Sequence, residues 1–392
     1  MTDANTSGKA TANHSQIAGV DAREERGKIR SEIVRIDSSE AMVSALKTGV
    51  AYFGNRTLRH VHADLEDVAG SGFDYVVHCF AESDLLDGLE TMRDIVRITH
   101  ELGMEAHVDP WGVAGIFGGE AFSKFVAWEM DASQVLADGS SVGIACLYSE
   151  RLRSFLHRWI DAAIEIGADV LFWDEPHWFP GDLWFFGESR GDEAARWSCR
   201  CHRCQERFAA EYGRAMPVEF TDEVNAFRQA AVLDILTDVI GYSRNRDVGQ
   251  TLCLLPHGQY HKLVNLPDWR PFAQIPGVDT FGTDPYWAVN PPVELEPYVS
   301  QGAAEVRELC DEFGLRNQFW IQGYNFAAGH EWEPVRAMQI ALEHGMSDLA
   351  VWSYRGCEPM SRLWPANIDL VWSNIVVALT QAKAGEPVRL PK

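Results

Sequence analysis

The chain has 392 residues and a formal net charge of -23, with 57 acidic residues against 34 basic ones. Such a charge repels phosphate backbones and anionic lipid headgroups, so we exclude nucleic acid and membrane surfaces as expected partners. No apolar run reaches the roughly 20 residues of a membrane-spanning helix, and no apolar run of a secretory signal precedes residue 17. We therefore expect a soluble cytoplasmic protein with a disordered tail over residues 1–30 and a single domain over residues 31–392. Assembly as a homo-oligomer is compatible with this composition.

Apolar segments alternate with stretches of helical periodicity along the chain. The candidate strands are 48–54, 73–80, 104–109, 169–174, 250–256, 278–284, 318–322 and 348–354, and the candidate helices are 85–102, 151–167, 226–240, 303–313 and 334–344. Eight strands alternating with helices predict a (β/α)₈ TIM barrel, in the α/β class. An open sheet of this length would usually carry a glycine-rich phosphate loop after its first strand. None is present, so we expect no nucleotide cofactor.

Two long loops follow the third and fourth predicted strands, at residues 110–149 and 176–198. Loops at the carboxyl ends of barrel strands carry the active site in this fold class. We therefore expect both loops to cover the mouth of the barrel.

The sequence LFWDEPHW contains the strongest chemical signal in the chain. An apolar strand ends there at Asp174 and Glu175, and Pro176 stops the strand because it has no N–H to donate. Cleavage of a glycosidic bond needs one carboxylic acid to protonate the leaving oxygen and a second carboxylate as nucleophile or base. We predict Glu175 as the general acid, Asp284 as its preferred partner and Asp174 as nucleophile or orienting group. The alternative for the two aspartates is an ordinary capping or turn role.

Polar and aromatic side chains stand at most of the other predicted strand ends, a composition typical of a carbohydrate site, because flat indole faces match the C–H faces of a sugar ring. Those that we expect to contact substrate are Asp109, Trp111, His78, Trp178, His257, Trp287, Gln322, Trp352 and Arg355. For His78 and His257 an ordinary hydrogen-bonded histidine near the rim is the alternative.

Three cysteines, Cys199, Cys201 and Cys204, form a CxCxxC pattern within the sequence WSCRCHRCQERF. In a chain without a secretory signal, this pattern favours thiols or metal ligands over disulfides. A tetrahedral Zn²⁺ would need a fourth ligand, for which Cys146 is the natural candidate and His202 the fallback. A closed site of four ligands is structural and does not activate water. Thiols packed beneath a loop without a metal are the alternative.

Together these residues resemble the glycoside hydrolase family 42 β-galactosidases and related glycosyl hydrolases. The resemblance covers roughly residues 125–213, where the cysteine pattern is followed by a segment ending in Tyr212 and Gly213. It implies a (β/α)₈ barrel, a zinc site completed by Cys146, and an acid/base residue at the place of Glu175.

The resemblance stops at the seventh strand, where the family's nucleophile is a glutamate and this chain has Gln322. An amide cannot form a glycosyl ester, so β-galactosidase activity is not implied. Aspartates on the fourth and sixth strands are the arrangement of glycoside hydrolase families 27, 31 and 36, and Asp174 with Asp284 would reproduce it.

Our leading hypothesis is a glycosidase that acts on a small oligosaccharide or glycoside. One alternative is a metal-dependent sugar isomerase, epimerase or lyase, because aspartate, glutamate and histidine at a barrel rim can also hold Mg²⁺ or Mn²⁺. Another is a sugar-binding barrel without catalysis, which the missing seventh-strand glutamate favours.

Overall fold

A computed structural model of the chain describes residues 45–119, 121–182, 190–192, 195–258, 264, 266–289, 292–358 and 361–391. Ala45–Lys392 forms a compact unit. The predicted tail over residues 1–30 and the predicted start of the domain at residue 31 lie outside the described residues. None of the described helices is long and apolar enough to cross a membrane.

Eight parallel strands close into a barrel, which confirms the predicted (β/α)₈ fold. In chain order the strands are β1 (Lys47–Tyr52), β2 (Tyr75–Cys79), β3 (Glu105–Asp109), β4 (Ser133–Val135), β5 (Ser141–Ala145), β6 (Val170–Asp174), β7 (Gly249–Leu254), β8 (Thr280–Thr283), β9 (Arg316–Gln322) and β10 (Asp348–Trp352). Strands β4 and β5 form a separate antiparallel hairpin within the long loop after β3, and the other eight form the barrel. The fourth barrel strand is therefore β6.

Helices surround the barrel between successive strands. They are α1 (Leu58–Gly70), α2 (Glu82–Asp87), α3 (Leu89–Glu101), α4 (Lys124–Trp128), α5 (Glu150–Glu165), α6 (His202–Tyr212), α7 (Asp222–Ser243), α8 (Arg270–Ala273), α9 (Leu295–Phe313), α10 (Glu333–Glu343) and α11 (Ile368–Lys383). The predicted helix 85–102 is divided at Gly88, which ends α2 and begins α3. Helices α1 and α11 complete the ring at the two ends of the described chain.

The barrel strands bury both of their faces, which is why they read as continuous apolar runs. Outward side chains pack against the helices, and inward side chains such as Phe172, Cys253 and Trp320 fill the barrel. At the amino-terminal end the filling is polar: the Tyr75 hydroxyl donates to Asp348 at 2.6 Å and accepts from the Gln318 amide at 2.8 Å. Burial raises the pKa of Asp348 to about 7.

The glycine at position 49 makes room for this polar layer. A Cβ at Gly49 would lie 2.0 Å from the ring of Tyr75, a distance that excludes any larger residue. The base of the barrel is thus closed by packed side chains, and the carboxyl ends of the strands form the end at which a site can open.

Candidate active site

Asp174 and Glu175 bring their carboxyl groups to the same place, although neighbouring residues of a strand point to opposite faces. Phe172 and Asp174 face the inside of the barrel by the alternation of β6. Glu175 follows with a φ of 42°, in the left-handed region, which turns its side chain back toward the mouth. A Cβ placed on Gly118 would lie 2.4 Å from Asp174 Oδ2 and 2.9 Å from Glu175 Oε2. Both carboxyl groups therefore meet the same glycine.

Asp109 and Asp284 complete a group of four carboxyls. Asp109 ends β3 and Asp284 follows β8, and both are almost fully buried. Burial first, and then the negative charge of Glu175, raise the pKa of Asp174 and of Asp284 well above the usual range. The pKa of Asp109 is raised in the same way by burial and by Glu175, and the Cys79 thiol beside it opposes that shift. Burial and mutual repulsion thus both disfavour the ionised form of these carboxyl groups.

The four carboxyls differ in depth. Asp109 is 0% exposed, Asp284 2%, Asp174 8% and Glu175 9%. Glu175 and Asp174 therefore lie nearer to solvent than the other two. The Asp284 side chain contacts that of Glu175, so the outer and inner carboxyls are in direct reach of each other.

A group of aromatic rings packs beside these carboxyls. The Phe53 ring lies 5.0 Å from the Trp111 ring and 5.5 Å from the Trp352 ring, and Trp352 lies 5.9 Å from Trp320. A Cβ on Gly119 would lie 2.0 Å from the Trp111 indole. Because Gly118 touches the carboxyls and Gly119 touches this indole, the aromatic side and the acidic side meet across two adjacent residues.

A buried glutamate holds the loop that carries these glycines. The Glu82 carboxylate, 2% exposed, accepts hydrogen bonds from Ala114 N at 2.7 Å, Ser123 Oγ at 2.8 Å and Phe125 N at 2.6 Å. Farther along the same loop, Gly118 N donates to the Asp174 carbonyl at 3.1 Å. The segment from Ala114 to Phe125 is thus held by Glu82, and Gly118 within it is held by the Asp174 carbonyl.

Three residues predicted to contact substrate lie away from this mouth. His78 faces the helix layer, where its Nε2 is 2.8 Å from the Thr99 hydroxyl, because Tyr75, Val77 and Cys79 occupy the inward positions of β2. The Trp178 indole donates to the Arg228 carbonyl of α7 at 2.9 Å. His257 is held between Glu305 at 2.9 Å and the Leu266 carbonyl at 2.9 Å. Each of these polar atoms is therefore engaged in packing loops and helices together.

Three further predicted contacts also serve the scaffold. The Trp287 indole donates to Glu333 of α10 at 2.6 Å, and Arg355 pairs with Glu358 and Asp369. Gln322 is fully buried, and its amide bonds the backbone of Ala288 and Tyr324. Of the predicted substrate contacts, the structure places Asp109, Trp111 and Trp352 at the mouth.

Several residues of the mouth carry no signal in the sequence. Gly118 is one glycine among 32, and Phe53, Cys79, Cys253 and Tyr286 read as ordinary core positions. Their inward positions in the barrel follow from register: Cys79 is paired with Asp109, and Cys253 with Asp174. The cysteines belong to the neighbouring strands β2 and β7, so their place beside these aspartates depends on the register between strands.

The four predicted metal ligands come together outside the barrel mouth. Cys146, Cys199, Cys201 and Cys204 are buried, and their sulfur atoms lie within 4.8 Å of one another. Cys146 Sγ is 3.5 Å from Cys204 Sγ and 3.6 Å from Cys201 Sγ. A tetrahedral zinc with bonds of about 2.3 Å places its sulfur ligands about 3.8 Å apart, so the group fits a metal ion. In the part of the chain that the structure describes, no other group of three or more such ligands meets this spacing.

Comparison with known proteins finds similarity in structure alone: no protein-family model and no curated protein sequence matches the chain. The catalytic domain of β-amylase from Paenibacillus polymyxa matches with a TM-score of 0.62 at 8% identity, covering 85% of this chain and 98% of that one. A GH42 β-galactosidase from G. stearothermophilus matches with a TM-score of 0.58 at 12% identity, covering 88% of this chain and 58% of that one.

A third similar structure is a GH5_18 protein from Streptomyces cattleya in complex with Manβ1-4GlcNAc. Its TM-score is 0.52 at 12% identity, and the match covers 88% of this chain and 83% of that one. This chain spans a little over half of the GH42 protein and most of the other two. At these identities the likeness establishes the fold, a (β/α)₈ barrel shared with glycoside hydrolases.

Proposed function

We propose that the protein is a glycoside hydrolase acting on a small oligosaccharide or glycoside. The observation that carries the proposal is the convergence of Asp174, Glu175 and Asp284 at the carboxyl end of the barrel, beside a group of aromatic rings. Hydrolysis of a glycosidic bond needs two carboxyl groups in one site, one protonated and one ionised. The glycoside hydrolases among the similar structures support this reading of the fold.

The difference in burial between Glu175 and Asp284 suggests which of them is the general acid. The leaving group of a glycoside that enters a closed barrel points outward, so the outer carboxyl is the one placed to protonate it. Glu175 is the more exposed member and becomes the general acid; Asp284 is the deeper one and acts as nucleophile or as base toward water.

The other residues of the mouth position the sugar. Asp174 orients the pair or replaces Asp284 as nucleophile, and Asp109 binds sugar hydroxyls or their substituents. Trp111 and Trp352 offer indole faces to the C–H face of the ring. The loop held by Glu82 limits the space above the carboxyls, which favours a small substrate over a polymer.

We further propose that the four cysteines hold zinc and that this zinc is structural. Four sulfur ligands leave no open coordination position for water or substrate, and the ion would tie the β4–β5 hairpin region to α6. Elemental analysis of protein prepared without chelator should find one zinc per chain; a value far below one would refute the assignment.

The test of the proposed function is a screen of the protein against aryl α- and β-glycosides, followed by Glu175→Gln. The variant should lose at least about 10²-fold in kcat, the usual scale for a positioned general acid. Substrates with good leaving groups need little protonation and should be partly spared. Equal losses for good and poor leaving groups would remove Glu175 from the acid role.

The same screen separates the alternatives. Tight sugar binding without any turnover would identify a binding barrel and overturn the hydrolase proposal. No aryl release, together with a conversion of free sugars that requires an added divalent cation while zinc stays at the cysteines, would instead identify a metal-dependent isomerase, epimerase or lyase.

A further inference from the structure

Buried carboxylate oxygens at the mouth lack partners. Among the described residues, no nitrogen or oxygen donor reaches either oxygen of Asp109, whose polar neighbour is the Cys79 thiol, and none reaches Asp284 Oδ1, although both residues are almost fully buried. A buried polar atom without a partner costs on the order of 1–3 kcal/mol, and a charged one more. Polar groups of a ligand are the natural partners for such oxygens in an active site.

The charge around these oxygens is negative. The charged groups that act on Asp109 and Asp174 are themselves carboxylates. The guanidinium nearby, Arg56, is held by both oxygens of Asp84 and by the Cys79 carbonyl, so its charge is already balanced. In the described part of the chain, the acidic group therefore lacks a cation of its own.

Aromatic rings lie beside the same carboxyls. Trp111 and Trp352 both pack against the Phe53 ring, with interplanar angles of 39° and 25°. The indole of Trp111 lies next to Gly119, and the adjacent Gly118 touches Asp174 and Glu175. The faces of aromatic rings attract cations, with tryptophan the strongest. Carboxylates on one side and indoles on the other form the surroundings that a buried ammonium group requires.

We propose that the mouth binds a glycoside whose sugar ring carries a primary ammonium group, held by Asp109 beside Trp111. The donors of the ammonium match the carboxyl oxygens of Asp109, which no nitrogen or oxygen of the described residues contacts. Its charge neutralises the acidic group, and a neutral acetamido group in the same place would do neither. An anionic sugar such as a uronate is rejected by the same carboxyls.

This inference rests on the proposed function only in taking the ligand to be a sugar, and it is tested by binding, not by turnover. Calorimetry at pH 6.5 would compare D-glucosamine and D-galactosamine with their N-acetyl and 2-hydroxyl counterparts and with glucuronate. We expect one amino sugar to bind at least about tenfold more tightly than its N-acetyl and hydroxyl forms, which is about 1.4 kcal/mol.

Two variants locate the effect. Asp109→Asn should remove the preference for the amine, whereas Asp311→Asn, a matched change at an exposed ion pair of α9, should leave it intact. Equal affinity of the wild-type protein for amino and acetamido sugars would overturn the inference without any variant, and so would a preference that persists in Asp109→Asn.

The two proposals fail separately. An amine preference in a protein that hydrolyses no glycoside would support the inference and overturn the hydrolase function. Hydrolysis of neutral glycosides without an amine preference would do the reverse.

Discussion

Replacement of Gly118 by alanine tests the geometry of the mouth most directly. The added Cβ would lie 2.4 Å from Asp174 Oδ2 and 2.9 Å from Glu175 Oε2, whereas ordinary contacts begin at about 3.4 Å. Either the loop or the carboxyl groups must therefore shift, by about 1 Å at Asp174 and about 0.5 Å at Glu175. A misplacement of about 1 Å at a reacting centre costs on the order of 10²-fold in rate.

We expect Gly118→Ala to lower kcat on the best aryl glycoside by about 10²-fold while the protein stays folded. The assay combines steady-state kinetics with thermal unfolding of the same preparations. Gly241→Ala is the matched control: Gly241 lies within α7, and its added Cβ would meet open space. That variant should keep its kcat and gain up to about 1 kcal/mol in stability. Full activity of a folded Gly118→Ala protein would refute the placement of the carboxyls beneath the loop.

Three other predictions concern stability, the loop and the metal. Burial raises the pKa of Asp348 to about 7, so the stabilising contribution of its protonated form is complete below a pH of about 4 and is lost as the pH rises through 7. Asp348→Asn should therefore raise the unfolding temperature more at pH 8 than at pH 5. An equal change in unfolding temperature at both pH values would contradict this prediction. Glu82→Gln places an amide donor against backbone N–H groups, so hydrogen exchange over residues 111–119 should accelerate and kcat/KM should fall about tenfold, while Glu129→Gln, at an exposed ion pair, should change neither; unchanged exchange in Glu82→Gln would argue against the anchor. Cys201→Ser should lose the bound zinc and several degrees of thermal stability while the folded fraction keeps its kcat; a parallel loss of kcat would place the metal in the chemistry.

The barrel is predictable from the sequence because its strands are buried on both faces. Each strand reads as a short apolar run, and the helix faces between them keep their period of 3.6. The β4–β5 hairpin is not predictable in this way, because Ser133–Val135 and Ser141–Ala145 are short and partly polar. Helix α2 is separated from α3 by a single Gly88, which the periodicity bridges without a break.

The site is less predictable than the fold, and alternation explains why. Because side chains alternate along a strand, Asp109 and Trp352, the last residues of β3 and β10, face the inside of the barrel. His78, one residue before the end of β2, faces outside, so such a position is a poor candidate for a substrate contact. The same alternation places Asp174 and Glu175 on opposite faces. The left-handed backbone conformation of Glu175 breaks this alternation, and no feature of the local sequence predicts that conformation.

The backbone of Glu175 also constrains how this chain can change over time. A glutamate with φ near 42° sits in a conformation that glycine and asparagine adopt at lower cost, by on the order of 1 kcal/mol. Selection for stability alone would replace it with one of those two residues. Among descendants of a common ancestor, a lineage that loses the activity should therefore acquire glycine or asparagine at this position. A lineage that keeps glutamate there retains this loss of folding stability because the function of the side chain requires it.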